Sequence, residues 1–282
     1  MNIHAALRPW STLLLMLPAM NGCAQQSAAS MEAPPQANKE RNMNGQEKMK
    51  VEVWSDIACP FCYIGKREFE NALARFPDKH QVEVEWRSFQ LDPDAPKRSG
   101  DDMYTMLEKK KGGSREQMKA MVGGIVDRAK TLGLDYAMEK AVMVNTYDAH
   151  RLIQLAKSKG LGSAMEERLF KGYFEQGANL SDQATLQGMG MEVGLAAADL
   201  AGLWTGDAFG DGVRSDIREA QRIGVRGVPF FVIDNKYAVS GAQAEDHFLG
   251  ALQQAWGERP APVLQEFGGA NGPVCDPAGK CD

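Results

Sequence analysis

The chain has 282 residues, 44% hydrophobic and 24% charged, with 29 glycines and 13 prolines in no regular period. That make-up fits one large or two ordinary globular domains and excludes a marginal mini-protein, a disordered polymer, a collagen and a polytopic membrane protein. A formal net charge of -5 without a dense lysine and arginine run leaves no electrostatic footprint for nucleic acid. The cysteines number five, Cys23, Cys59, Cys62, Cys275 and Cys281, so pairing among them leaves one over.

Residues 1–23 read MNIHAALRPWSTLLLMLPAMNGC: Arg8 in a short leading stretch, an apolar run over 13–20, then Gly22 and Cys23. The run is too short to span a bilayer and has the order of a secretory signal peptide. A small residue directly before Cys23 resembles a bacterial lipobox, in which the cysteine is acylated, although Met20 stands where that motif prefers leucine. This places the protein in the cell envelope or periplasm, with a lipid anchor to a membrane. The alternative is a start at Met43 or Met49 and a cytoplasmic protein. Residues 24–49, rich in Gln, Asn, Ser, Ala and Pro with balanced charges, bury too little to order themselves and read as a tether.

The folded body then runs over 50–256. KVEVWSD alternates Val51, Val53 and Ser55 against Glu52 and Trp54 and predicts a strand ending at Asp56. Pro60 opens a helix whose apolar face is Phe69, Leu73 and Phe76, and residues 82–91 predict a second strand closed by Asp92 and Pro93. From about 101 to 223 no strand is predicted. Ser114 and Gln117 form a capping-box pair ahead of a helix carrying Met118, Met121, Val122 and Ile125. Further helical faces fall at Ala149, Leu152, Ile153 and Ala156, at Met165, Leu169 and Tyr173, and at Val213, Ile217 and Ala220. Gly160, Gly177, Gly194, Gly206 and Gly224 punctuate this block as helix ends. Strands return at 229–233 and 236–240 around an Asp234-Asn235 turn, followed by a helix over 244–256 with Phe248, Leu252 and Ala255 on one face. The methionines of the block, among them Met118, Met121, Met138, Met143, Met165, Met189 and Met191, suit either a helical core or a pliable groove.

Cys59-Pro60-Phe61-Cys62 falls at a strand-to-helix junction. A cysteine at a helix N-cap faces unpaired N–H groups and the positive end of the helix dipole, which favours thiolate, so Cys59 is the expected attacking sulfur. Cys62, inside the first turn, reaches back to resolve a mixed disulfide, and Pro60 has no N–H to leave unpaired. One half of a zinc site, completed by Cys275 and Cys281 in a metal-stabilised binding module, is the competing reading. The apolar helix after a strand favours redox chemistry over a metal. Far downstream, Gly227-Val228-Pro229-Phe230-Phe231-Val232-Ile233 places a proline at the first residue of an apolar strand.

These segments together, VEVWSDIACPFCYIGKREFE, WRSFQLDPD, NTYDAHRLIQLA and GVRGVPFFVIDNKYAVSGAQ, resemble the DsbA-like branch of the thioredoxin superfamily and, within it, FrnE-type proteins. The resemblance implies an α/β thioredoxin fold with a large all-helical insertion over the CxxC motif. It implies a cis-Pro229 facing the sulfurs, and Val228 offering backbone hydrogen bonds to an extended substrate. The activity implied is thiol–disulfide oxidoreduction on protein thiols and disulfides, with no bound cofactor and with a redox partner to reset the dithiol. Phe61 stands where strongly oxidising DsbA proteins place histidine, which removes a thiolate-stabilising donor. Glutathione transferase kappa and hydroxychromene-carboxylate isomerase relatives share the architecture but carry serine at the place of Cys59, so the intact pair favours dithiol exchange over a glutathione-linked transferase or isomerase.

Asp56, three residues before Cys59, is either a proton relay or a strand-end acid bonding the turn backbone. His150, among Ala149, Leu152 and Ile153, reads as a structural histidine, His80 as a loop residue, and the run Lys109, Lys110, Lys111 as a solvated helix end. The tail, 257–282, ends in CDPAGKC, and Cys275 and Cys281 form either an auxiliary disulfide exchanging with Cys59-Cys62 or a passive staple. Cys23, spent on acylation, then accounts for the odd count.

Overall fold

The computed structural model describes residues 47–97 and 100–260. Cys23, Cys275 and Cys281, and with them the leader, most of the tether and the tail, lie outside the described residues.

The architecture is a thioredoxin fold carrying a large helical block. Strand β1 (Met49–Ser55) pairs in parallel with β2 (Val82–Ser88) and antiparallel with β3 (Phe230–Ile233), which pairs antiparallel with β4 (Tyr237–Ser240), giving the order β2-β1-β3-β4. Helix α1 (Pro60–Arg75) links the parallel pair, and α9 (Glu245–Gly257) follows β4. Period-two alternation explains the layering. Met49, Val51 and Val53 face one core with Phe69, Ala72 and Phe76 of α1 and Phe248, Leu252 and Ala255 of α9. Trp54 points to the opposite face, beneath Ala220 and Val225.

The second strand is shorter than the 82–91 run predicts. β2 is an edge strand paired only with β1, and it loses its partner where β1 ends at Ser55. Phe89 N still donates to the Ser55 carbonyl at 3.0 Å, after which Leu91 N turns aside to the Asp56 carboxylate. The Asp234-Asn235 hairpin has both residues at positive φ, 52° and 53°, the two-residue turn that matches strand twist.

Between β2 and β3 lie seven α-helices: α2 (Met103–Lys111), α3 (Arg115–Thr131), α4 (Tyr147–Ser158), α5 (Gly162–Phe174), α6 (Gln183–Glu192), α7 (Ala197–Leu203) and α8 (Gly210–Arg222). The Ser114–Gln117 capping box opens α3 in both directions, and the three lysines end α2 before Gly112. Gly160, Gly177, Gly194 and Gly224 adopt positive φ at chain reversals, whereas Gly206 lies in an ordinary bend. The predicted faces Ala149–Leu152–Ile153–Ala156 and Met165–Leu169–Tyr173 are buried, and on α8 Ile217 is half-exposed while Asp216 takes the buried place beside it. Asp216 holds that position by accepting from Arg87 at 2.9 Å, from Ser88 N at 2.9 Å and from Gln154 at 2.5 Å, a charged network beside the apolar Trp54–Ala220–Val225 contacts of the second sheet face.

Candidate active site

Cys59 is the N-cap of α1 and Pro60 its first helical residue, so the chain turns from β1 through Asp56, Ile57 and Ala58 directly into the helix. The turn is closed by Cys59 N donating to the Asp56 carbonyl at 2.9 Å, and Cys62 N to the Cys59 carbonyl at 3.0 Å. The Cys59 sulfur makes no capping bond to the helix; its thiol instead donates to the Val228 carbonyl at 3.5 Å. The Val228–Pro229 peptide is cis, and Pro229 is buried. Two sequence segments 169 residues apart thus meet at one sulfur. Both cysteines are thiols in this structure. Cys59 retains 5% of its surface and Cys62 none. Burial, with the adjoining Cys59, pushes the Cys62 thiol well above its ordinary value, so Cys62 holds its proton tightly.

Gly65, one turn beyond Cys62, is where α1 and the Pro229 loop touch. A Cβ there would stand 2.9 Å from Pro229 Cγ and 3.4 Å from Ala242 Cα, with a rigid ring and a backbone as the obstacles. Gly65→Ala is expected to lower stability by about 1–3 kcal/mol in urea unfolding, since neither obstacle can step aside. A variant as stable as the parent would show that the loop yields freely.

Behind Cys62 lies a buried polar cluster. Ser55 projects to the α1 side of β1, beside both the Cys62 thiol and the Glu166 carboxyl, and acts on the titration of both. Its hydroxyl, Glu166 Oε1 and His150 Nε2 are buried without a well-formed hydrogen bond. His150 Nε2 stands 3.5 Å from Asp56 Oδ1, an ion-pair distance. Burial alone would lower the His150 pKa, but the carboxyls of Asp56, Glu166 and Asp216 outweigh it and raise it. Burial pushes Glu166 up to about 7 against the opposing pull of His150, Ser55 and Lys66. Lys66, itself buried, is held by Glu70 at 2.5 Å and Glu167 at 2.6 Å.

Asp56 is buried and performs the turn-bonding part of its two predicted roles, accepting from Ala58 N at 3.3 Å and Leu91 N at 2.8 Å. It also faces His150, whose Nε2 stands at ion-pair distance from its carboxylate. Phe61 is 39% exposed at the surface between the two cysteines, and His80 lies exposed in a short turn away from the site. Glu166, Ser55 and Lys66 were not predicted as site residues. Glu166 could have been found from its phase: it sits on the face of α5 that carries Leu169, Phe170 and Tyr173, so a carboxylate there must enter the core. Among the described residues no group of three or more His, Cys, Asp or Glu is placed to hold a metal ion.

The helical block is latched to this turn and to the segment that follows β4. The Tyr136 hydroxyl donates to the Pro60 carbonyl at 2.8 Å, and Arg128 on α3 donates to the Ala242 carbonyl at 2.6 Å.

A thioredoxin fold, a buried vicinal cysteine pair opening α1 and a cis-proline loop against it define a thiol–disulfide oxidoreductase class of site. The model of the DSBA-like thioredoxin domain matches residues 50–253, and the chain belongs to that family. It is 41% identical to a probable DsbA oxidoreductase from Streptomyces coelicolor, covering 83% of this chain and 98% of that one with a TM-score of 0.73. It is 27% identical over 205 residues to YwbO of Bacillus subtilis, an uncharacterised protein, covering 72% of this chain and 94% of that one. The cytosolic disulfide reductase DsbM of Pseudomonas aeruginosa, solved with GSH, shares the fold at 16% identity, with a TM-score of 0.52 over 73% of this chain and 98% of that one.

Proposed function

We propose that this DsbA-family protein exchanges disulfides with protein substrates through the Cys59–Cys62 dithiol. In the reducing direction the Cys59 thiolate attacks one sulfur of a substrate disulfide, forms a mixed disulfide and releases the other substrate sulfur as thiolate. Cys62 then loses its proton, attacks Cys59 Sγ and expels the second substrate sulfur, leaving the Cys59–Cys62 disulfide for a redox partner to reduce. The same steps in reverse deliver a disulfide to a dithiol. The observation that carries this reading is the asymmetry of the pair: Cys59 faces Val228 with some surface open, while Cys62 is wholly buried and keeps its proton. Pro60 sets the helix start, Phe61 presents an apolar surface to the substrate, and Val228 and Pro229 align its chain beside Cys59. Glu166, buried on the side of Cys62 where Ser55 lies and raised toward neutral pH, is the acceptor this reading assigns to the Cys62 proton.

On the leader-like residues 1–23 and the CDPAGKC tail, we further propose that the protein lies in the cell envelope, anchored through Cys23, and that Cys275 and Cys281 exchange with the active pair. The test is thiol titration and turnover on the purified protein. Denatured and reduced, it shows four thiols, and a fifth reports an unmodified Cys23. Native and metal-free, it catalyses exchange between a thiol and a protein disulfide. Stoichiometric zinc with no reactive thiol would instead mean a metal-stabilised binding module. Turnover unchanged by replacing both tail cysteines with serine would make the tail pair a staple.

A further inference from the structure

Among the described residues every arginine is joined to a carboxylate except two, Arg218 and Arg226. Both are exposed, and among the described residues neither makes a hydrogen bond, an ion pair or a ring contact. A guanidinium is always charged and carries five donors, so these two leave unused a pairing that the other arginines take up. Arg214, Arg218, Arg222 and Arg226 recur at every fourth position on the way to the Pro229 loop. The first is paired with Asp207 and Asp211 and the third with Glu219, while the second and fourth stand free.

The backbone holds Arg226 in place from both sides. On one side α8 closes with Gly224 at φ 80°, Val225 N donating back to the Ala220 carbonyl at 2.9 Å, and Val225 buried on Ala220 and Trp54. On the other side the Val228 carbonyl accepts from the Cys59 thiol at 3.5 Å, and the Pro229 carbonyl accepts from Gly241 N at 2.8 Å. Only Arg226 and Gly227 lie between these fixed points. Two residues of chain span at most about 7 Å, so Arg226 stands beside any polypeptide that lies along Val228. Arg218 continues the positive charge on α8, one turn before that helix ends at Arg222.

We propose that Arg226, with Arg218 on α8, forms a cationic surface that recognises carboxylates flanking the reactive cysteine of a protein partner. The proposal rests on the disulfide-exchange reading and adds the partner class, polypeptides with acidic residues close to the cysteine. A partner chain joined to Cys59 and running from Val228 toward α8 meets Arg226 about two residues from its own cysteine. An aspartate or glutamate there accepts from the guanidinium through both oxygens, and a further acidic residue faces Arg218. Because the loop is fixed, ordering the contact costs side-chain freedom alone. The chain as a whole carries a formal charge of -5, so the field of the whole molecule favours basic polypeptides. A preference for acidic ones therefore reports this local surface.

The test uses disulfide-linked homodimers of cysteine peptides that differ only in carrying glutamate, glutamine or lysine at the second and third positions on either side of the cysteine. Reduced protein reacts with each: Cys59 joins one peptide and frees the other as thiol, Cys62 then frees the second, and the protein ends with the Cys59–Cys62 disulfide. Each second-order rate constant is divided by that of dithiothreitol with the same peptide, which removes differences in the reactivity of the peptides themselves. At low ionic strength the wild type is expected to favour glutamate over lysine by about fivefold or more, and at about 0.5 M salt the ratio falls toward one. Arg226→Glu is expected to invert the order, which a merely loosened loop would not do. Arg226→Lys keeps part of the preference, since an ammonium pairs only as a point charge. Arg218→Gln combined with Arg226→Gln brings the ratio to about one or below, leaving only the field of the whole molecule. No preference for glutamate in the wild type, or one retained by Arg226→Glu or by the double glutamine variant, overturns the proposal. Failure of the reduced wild type to react with bis(2-hydroxyethyl) disulfide, which has no charge to recognise, overturns the oxidoreductase reading instead.

Discussion

Cys59→Ser leaves the fold intact and reduces disulfide exchange to the uncatalysed rate, whereas Cys62→Ala keeps the first step and stops at the mixed disulfide. The difference follows from what each sulfur can reach. Cys59 is the N-cap with its thiol directed at Val228, so an incoming sulfur meets it first; Cys62 has no exposed surface. An alcohol in place of Cys59 holds its proton at neutral pH and forms no stable bond to sulfur, so nothing replaces the attack. Removing Cys62 takes away only the resolving thiol, and the covalent adduct then waits for an external thiol. The measurement is mass spectrometry of protein isolated under acid quench after incubation with oxidised substrate. One substrate molecule bound at Cys59 in Cys62→Ala, and none in Cys59→Ser, is the expected pattern. An adduct at Cys62, or at neither position, would sink the assignment of roles.

Glu166→Gln is the second large effect, and it moves rate and stability in separate ways. Cys62 must surrender a tightly held proton before it can attack, and its buried side offers Ser55 and then Glu166. With glutamine there, resolution of a preformed mixed disulfide is expected to slow about 10²-fold near pH 7, the range of a lost general base. The deficit narrows at alkaline pH, where hydroxide takes the proton directly. A purely structural role for Glu166 would give a deficit that does not vary with pH.

The stability effect has a definite sign. Folding raises the Glu166 pKa from an ordinary 4.5 to about 7, so between those values the folded protein holds a proton that the unfolded chain releases. Stability tied to this group is therefore complete below pH 4.5 and is lost as pH rises through about 7. A tenfold change in proton affinity corresponds to about 1.4 kcal/mol, so the loss approaches about 3 kcal/mol by pH 8. His150, whose pKa is also raised, contributes with the same sign, while Ser55, Cys62, Lys66, Asp56 and Asp216 complete the polar surroundings. Glutamine cannot ionise, so Glu166→Gln should gain on the wild type as pH rises from 5 to 8 in urea titrations. A constant difference across that span would mean that Glu166 does not ionise there.

Much of the scaffold was legible because it is written in short-range chemistry. The alternation of β1, the proline opening α1, the capping box of α3 and the Asp234-Asn235 turn each act within a few residues, and the structure contains all of them. The overreach at β2 had a non-local cause, since the length of an edge strand depends on where its partner stops. The dithiol was conspicuous for the same local reason as the caps, namely two cysteines placed on a helix start. The cluster behind it was not. Ser55, Glu166 and His150 come from β1, α5 and α4, and their meeting depends on how the helical block packs against the thioredoxin core, which no residue spacing encodes. Glu166 left a trace as a charge on an apolar helix face. Ser55 looked like any strand-end serine, and His150 acquires its importance only from Asp56, 94 positions away by numbering.

The absent side chain at position 65 ties the parts of the site to one another. Because that position has no side chain, the Pro229 loop rests directly on the helix that carries both cysteines, so the reacting sulfur and the backbone that aligns its substrate share one foundation. The helical block bears on the same place: Arg128 of α3 donates to the carbonyl of Ala242, which also abuts Gly65, and Tyr136 donates to the carbonyl of Pro60. A side chain at position 65 therefore displaces the sulfur, the aligning backbone and the contact with α3 together, and the three respond as one unit.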